Sequence, residues 1–411
     1  MREAEDVQGR GYSVHVLFAT DHLFQRAADG GVNTVGGKFP YGRWLEYLSV
    51  FDRLTVVGRC GPAHAASAGD ERSSGERVTH RLFDEPRGWR RALALTRNKR
   101  EIAALVEAAD AVVVQLPTEY GLAAAAMAER MGKPTLVELV ADPWDATWNH
   151  GAAATKLYAP VLTWRTRRRV RRAPFVRYVT NHFFQRRYPT DGEWVAASNV
   201  ILAEPEPHLA GRRRTALAEQ RPLVFGTIGA MHTRLKGIAI AIEALAGMKD
   251  EIGPFTYRVL GEGDPSPYRR LADRLGIGGQ VQFDGTLPSG PSVAAWLDGI
   301  DLYLQPSFQE GLPRALIQAM GRGCLAIGST AGGIPELLPP ERTHRPGDLL
   351  GLQDRIRALL ALPLAARQNE AAAHIEASRA YSYPLLLARK RQIYEKLRSA
   401  CLSSRAFGGK E

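Results

Sequence analysis

The sequence has few cysteines, no long apolar run and too few acidic residues to balance its basic ones, and each shortage excludes something. Its three cysteines, Cys60, Cys324 and Cys401, lie far apart in 411 residues and form no paired ligand spacing. That argues against a disulfide framework and a cysteine metal site, and they read as reduced thiols with Cys324 in a core. No apolar stretch approaches the ~18 residues of a membrane-spanning helix. Residues 1–10 are polar and acidic where a signal peptide would be basic and then apolar, so the expected location is the cytoplasm. The excess of Lys and Arg gives a formal charge of +11, which calls for nucleic acid, an anionic membrane or phosphorylated ligands as a partner. No recognised nucleic-acid module accompanies the charge, so nucleic acid is not expected. A composition of 45% hydrophobic and 24% charged residues is globular, and the length allows two or three domains with ample cores.

What is present is an alternation of strand and helix patterns. Strands are expected at 12–20, 53–59, 111–116, 135–140 and 175–180, with helices at 89–109 and 119–131 between them, which implies a parallel doubly wound sheet. A second series follows at 223–229, 257–261, 281–283, 302–305 and 324–327. The intervening 201–221, rich in Pro, Glu, Arg and Ala, reads as an interdomain linker. From Ala365 the chain reads as helical, and the tail from Ser403 as disordered. The fold class is therefore α/β, with two Rossmann-like doubly wound halves facing a cleft.

The stretch 301–338 carries the most chemistry. A short strand at 302–305 runs into the loop P-S-F-Q-E-G, and Pro313 suits the first turn of the helix that follows. A loop at a strand's carboxyl end, leading into a helix whose free N–H groups point at the crevice, suits an anionic, phosphate-bearing ligand. Glu310 can accept hydrogen bonds from vicinal hydroxyls such as those of a sugar, and Gln318, two turns on, can bond a hydroxyl without charge. Gly321, Gly323, Gly332 and Gly333 then frame the next strand, ending at Glu336.

Read over more than thirty residues, this stretch resembles the signature of the retaining glycosyltransferases of group 1 (family 4, GT-B fold). The segment K-F-P-Y-G-R-W-L-E-Y-L-S-V-F-D-R further resembles their bacterial exopolysaccharide and capsule branch. The resemblance implies transfer of a hexosyl group, with retention and without a metal, from a nucleotide diphosphate sugar to a glycan or polyprenyl-linked acceptor; no cofactor is expected. It implies domains at 1–205 and 206–381 and a helix over 382–402 that crosses back to the first domain, with 403–411 as the tail. By the same resemblance Glu310 holds the sugar, Gly311 and Leu312 meet sugar or phosphate, and Gln318 contacts the ribose where the family has glutamate. G-T-I-G-A-M-H-T-R-L-K-G resembles the diphosphate clamp, with Lys236 and Gly237 on matching positions. Ala230 stands where the usual arginine would be, and Arg234 is the candidate to supply the lost charge. Gly261 lies in the turn expected near base or ribose. Two other readings stay open: a non-catalytic nucleotide-sugar binder, suggested by Ala230 and Gln318, and a sugar-nucleotide epimerase.

In the first half, Gly36 and Gly37 follow the first strand in a long loop over 21–41. They allow close backbone approach to a ligand, with Lys38 as an anion contact, or they serve a plain flexible loop. Asp142, where many relatives keep a histidine nearby, could accept the acceptor's proton or cap the following turn. Trp144 and Trp148 could stack on sugar rings or wedge the loop. Residues 156–172 combine a dense basic set with Leu157, Val161, Leu162, Trp164 and Val170. That pattern suits an amphipathic helix on the anionic inner face of the plasma membrane, or a solvated helix held by its apolar stripe.

Overall fold

A computed structural model describes residues 12–61, 71–84, 90–148, 153–206, 208–219 and 221–408. Two parallel sheets carry the chain. In the first, the parallel order is Val78–Asp84, Arg53–Cys60, His15–Arg26, Ala111–Leu116, Thr135–Leu139, Phe175–Tyr178 and Glu193–Ala196. The second runs Val281–Phe283, Phe255–Leu260, Leu223–Ile228, Leu302–Gln305, Leu325–Ser329 and Thr343–His344. Helices cover both faces of each, which is why central strands such as A-V-V-V-Q-L are apolar almost throughout rather than alternating. The architecture is the pair of Rossmann-like units facing a cleft that the alternation implied.

Three segments differ from their sequence reading. The first strand does not stop at Thr20. After an irregularity between Ala19 and Leu23 it continues to Arg26 and pairs antiparallel with Val32–Thr34. Leu23 and Phe24 drive this: Phe24 is fully buried against His22, Phe39 and His80, so the supposed loop has core contacts of its own. The supposed linker contains a helix, Leu209–Ala218, packed against the helix Leu364–Ser378. Its Arg213, 3% exposed, donates to the carbonyls of Leu297, Ile300 and Arg322 at 2.8–3.1 Å. A cation there satisfies carbonyls that two other helices leave open at their C-terminal ends. Finally, the last helix, Tyr383–Gly408, runs on through Ser403.

That last helix returns to the first domain. Tyr394 stacks on Tyr47 with ring centroids 4.8 Å apart, Ile393 and Leu397 join the cluster around Trp44 and Phe51, and Lys390 Nζ donates to the buried Glu46 at 2.8 Å. Beneath them lies a buried ion pair in which Arg177 Nε donates to Glu138 Oε1 at 3.0 Å. Tyr47 adds its hydroxyl to the same oxygen at 2.7 Å. A buried charge is tolerated only with such partners. A second link joins the domains directly. Glu336 of the second domain accepts from the backbone N–H groups of Asn181, His182 and Phe183, at 2.7, 3.0 and 2.6 Å, ahead of and at the start of the helix Phe183–Arg187.

Candidate functional site

Glu310 lies in the loop between the strand Leu302–Gln305 and the helix Arg314–Gly321, with 8% of its surface exposed. Its Oε1 accepts from Lys236 Nζ at 2.8 Å, Ser307 Oγ at 2.8 Å and Gln305 Nε2 at 2.9 Å. Gln305 is itself oriented, since its Oε1 accepts from the buried Tyr303 hydroxyl at 2.9 Å. All three bonds fall on Oε1, so among the described residues the carboxylate is anchored by one oxygen. A preorganised acceptor of this kind suits two neighbouring hydroxyls.

Local backbone geometry brings Lys236 to Glu310. Gly237 is left-handed (φ +67°), and a Cβ there would lie 2.0 Å from the Pro306 carbonyl oxygen. Only glycine permits this approach of the loop after Leu223–Ile228 to the end of the neighbouring strand. Arg234 opens the same short turn and is exposed. Gly311 makes the matching approach across the cleft, where a Cβ would lie 2.6 Å from the Val140 carbonyl oxygen of the first domain. Gly261 donates its N–H to Gly285 O at 2.7 Å, lacing the loops at this edge together.

Between the domains lies a cavity of about 470 Å³, lined by Gly36, Lys38 and Leu312 among the expected residues. Gly37 continues the same turn (φ +61°) without lining the cavity. Gln318 is not brought to this cavity. It lines a separate one of about 460 Å³, with Leu202, Pro291, Val293 and Leu297. Asp142 fills the structural one of its two readings. It is fully buried, its Oδ1 accepts from the N–H groups of Trp144 (2.9 Å) and Asp145 (3.2 Å), and Arg187 pairs with Oδ2 at 2.9 Å. An aspartate before proline has capped the helix Pro143–Trp148. The side chain of Trp148 lies outside the described residues, and Trp144 is half-buried.

The cavity also holds residues that sequence reasoning missed: His22, Arg43, Arg59, Asn199 and Arg314. His22 Nε2 meets Thr34 Oγ1 at 2.7 Å. Burial, then the charges of Lys38, Arg59 and Arg43, hold its pKa down to about 3, so it presents a neutral imidazole. Arg314 sits inside the signature stretch; His22 and Arg59 come from two strands, Arg43 from the helix Tyr41–Leu48 and Asn199 from a loop, and only the fold assembles them.

The basic segment is a helix, Ala153–Arg172. Four of its seven basic residues are ion-paired within the domain: Arg165 with Glu119, Arg169 and Arg172 with Glu129, and Arg171 with Asp191. Its outward surface carries an apolar stripe beside the exposed Lys156, Arg167, Arg168, Arg171 and Arg172. Leu157 is 81% exposed, Val161 47% and Trp164 61%, with Arg168 over the Trp164 ring at 5.8 Å. Among the described residues no helix is long and apolar enough to cross a membrane, and no group of three or more His, Cys, Asp or Glu is placed to hold a metal.

A family model described as glycosyl transferases group 1 matches residues 222–361, which contain Arg234, Lys236, Gly261, Glu310 and Gln318. Protein CapJ of Staphylococcus aureus is 26% identical over 353 residues, 85% of this chain and 87% of that protein. The amylovoran biosynthesis glycosyltransferase AmsK of Erwinia amylovora is 33% identical over 146 residues, 34% of this chain and 35% of its own. Among solved structures, Anabaena HepE in complex with UDP matches with a TM-score of 0.61 at 17% identity, covering 94% of this chain and 100% of that one. At that identity the likeness concerns the fold.

Proposed function

We propose that this chain, whose residues 222–361 match the glycosyl transferases of group 1, moves a hexosyl group, with retention, from a nucleotide diphosphate sugar to a glycan or polyprenyl-linked acceptor in cell-surface polysaccharide synthesis. The observation that carries this reading is the anchored Glu310, one of whose carboxylate oxygens is held by Lys236, Ser307 and Gln305. The relative AmsK, an amylovoran biosynthesis enzyme, supports the polysaccharide setting. The matching HepE structure with UDP supports a nucleotide donor.

In this reading the sugar hydroxyls bind Glu310 Oε2. The diphosphate lies against Lys236, Arg234 and the first N–H groups of the helix Arg314–Gly321, where positive charge can hold the leaving oxygen without a bound cation. The bond between the anomeric carbon and the phosphate oxygen breaks, and the acceptor oxygen bonds to that carbon on the same face. The acceptor's proton passes to the leaving phosphate oxygen, so Asp142 is not needed as a base. Gln318, which lines a separate cavity, is given no donor contact in this reading. The outward apolar stripe of Ala153–Arg172 is assigned to the surface of an anionic membrane, where a polyprenyl-linked acceptor resides.

The test is a panel of nucleotide sugars offered with and without acceptor extracts, with released nucleoside diphosphate and the anomeric configuration of the product as readouts. Transfer with retention, undiminished by chelators, is expected. Binding without release from any donor would leave a non-catalytic binder, and a changed sugar with no acceptor present would mean an epimerase.

A further inference from the structure

Two neutral side chains on the first-domain wall of the cavity between the domains, His22 and Asn199, have the direction of their hydrogen bonds fixed by their neighbours. The cations beside Asn199 are answered within the first domain. Arg43 pairs with Glu138 at 3.8 Å, and Arg177 pairs with the same carboxylate at 2.5 Å. Glu310 and Lys236, to which the donor is assigned, do not line this cavity, and it adjoins their loop at Leu312. It is thus placed for the acceptor.

His22 lies in the strand His15–Arg26 with its ring against Phe24 and Phe39, centroids 4.8 Å from each. Its Nε2 meets Thr34 Oγ1 at 2.7 Å. Thr34 is fully buried, and its oxygen already accepts from the Phe39 N–H at 3.1 Å. A buried hydroxyl does not leave its proton unplaced, and among the described residues His22 Nε2 is the other partner of this one, so Thr34 donates and Nε2 accepts. The imidazole hydrogen is then on Nδ1, which bonds none of the described residues and belongs to a ring that lines the cavity. A pKa held down to about 3 by burial and then by nearby cations keeps the ring in that neutral form. Asn199 is fixed differently. Its Oδ1 meets Arg43 Nη2 at 3.3 Å and Arg177 Nη1 at 3.0 Å. A guanidinium can only donate, so the atom that meets two of them is the oxygen, and Nδ2 is a donor with no partner among the described residues.

Resting on the transferase reading, we propose that His22 and Asn199 select the acceptor, holding oxygens of an uncharged sugar by hydrogen bonds from Nδ1–H and Nδ2–H. Both are positioning residues, and the oxygens they hold are not the one that reacts. A hydrogen bond donated to the attacking oxygen would occupy the lone pair that must reach the anomeric carbon. Two donors locked by their own neighbours read lone pairs on the sugar, and being locked they lose little freedom when it binds. His22 and Asn199 then choose the acceptor, while Glu310 and Lys236 hold the donor.

The experiment follows the histidine ring nitrogens of the full chain by NMR, with the protein saturated with whichever of UDP, GDP or ADP it binds, as methyl glycosides of glucose, galactose and mannose are added. His22→Phe, which keeps a ring in place, assigns the His22 signals. They are expected to show a hydrogen on Nδ1 and none on Nε2 at neutral pH, and at least one glycoside is expected to shift them. Asn199→Asp keeps an oxygen for the two arginines and turns the donor into an acceptor. It should weaken that glycoside about tenfold, the upper range for one hydrogen bond, with nucleoside diphosphate affinity within about twofold. His22→Phe should weaken it in the same direction and serves if the first variant does not fold. A hydrogen on Nε2, no glycoside that moves the His22 signals, or binding undiminished in both variants overturns the proposal. The transferase reading fails separately, by absence of binding to any nucleoside diphosphate.

Discussion

Lys236 donates to Glu310 Oε1 at 2.8 Å, so the cation assigned to the leaving diphosphate also orients the carboxylate assigned to the sugar. The contact spans 74 residues of sequence and depends on the left-handed Gly237 pressed against the Pro306 carbonyl. Donor sugar and donor phosphate are therefore read by one coupled pair.

Lys236→Ala should lower turnover by about 10²- to 10³-fold, the cost of losing one preorganised donor at a developing charge, or ~2.7 to 4 kcal/mol. Because Glu310 loses an anchor at the same time, donor KM should rise as well. Steady-state kinetics over donor concentration separates the two effects. Unchanged turnover would remove Lys236 from the reaction. Glu310→Gln, which keeps the shape and gives up the charge, should impair the enzyme through the same pair, and the double variant should lose less than the sum of the two.

Glu336 ends the glycine-framed part of the signature, yet its carboxylate receives three N–H groups of the first domain. Glu336→Ala leaves those donors without their partner and should cost about 1 to 2 kcal/mol, at the upper end for lost caps. A lower urea midpoint at unchanged slope would show it, and Glu336→Gln, keeping one acceptor oxygen, should lose less. Equal midpoints for all three proteins would mean that the link contributes no net stability.

Local pattern made the sheets legible, because apolar runs such as 111–116 and 302–305 are buried on both faces and need no tertiary help to be recognised. Val78–Asp84 is not expected from the sequence, because V-T-H-R-L-F-D borders a polar stretch and only Phe83 in it is buried. The linker reading of 201–221 failed because Arg213 sits in the middle of what looks like a solvated basic run. Only tertiary contact with three carbonyls shows why it is buried. Glu310, Lys236 and Gly237 were legible as a pattern around one strand edge. Arg43, His22 and Asn199 were not, since each comes from a different element, a helix, a strand and a loop, and nothing in its neighbourhood marks it as facing a cavity.

Asp145 provides a pH test of the loop that Asp142 caps. Burial, then the neighbouring Asp142 carboxylate, push its pKa up to about 6. A carboxyl raised in the folded state costs stability wherever the unfolded chain would ionise it. The cost is complete above pH 6 and vanishes below the ordinary aspartate range. Asp145→Asn should therefore raise Tm at pH 7.5 and change it little at pH 4. An equal shift at both values would trace the effect to packing rather than to charge.

The helix Ala153–Arg172 gives the last prediction, and the structure changes its terms. Seven basic residues on an anionic surface would contribute ~1 kcal/mol each, but four of them are already ion-paired within the domain. The outward stripe is instead Leu157, Val161 and Trp164, spaced by four and three residues along one face. Each of these, if sunk below the headgroups, is worth about 1.5 to 3 kcal/mol, so apolar insertion outweighs charge attraction. Sedimentation with anionic vesicles should then persist at salt concentrations that screen charges beyond about 8 Å. The pair Leu157→Ser with Trp164→Ser should abolish it, whereas Arg167→Gln with Arg168→Gln should only weaken it. Binding unchanged in the serine variant, or absent with both anionic and neutral vesicles for the unaltered protein, would return this helix to a solvated face of the first domain.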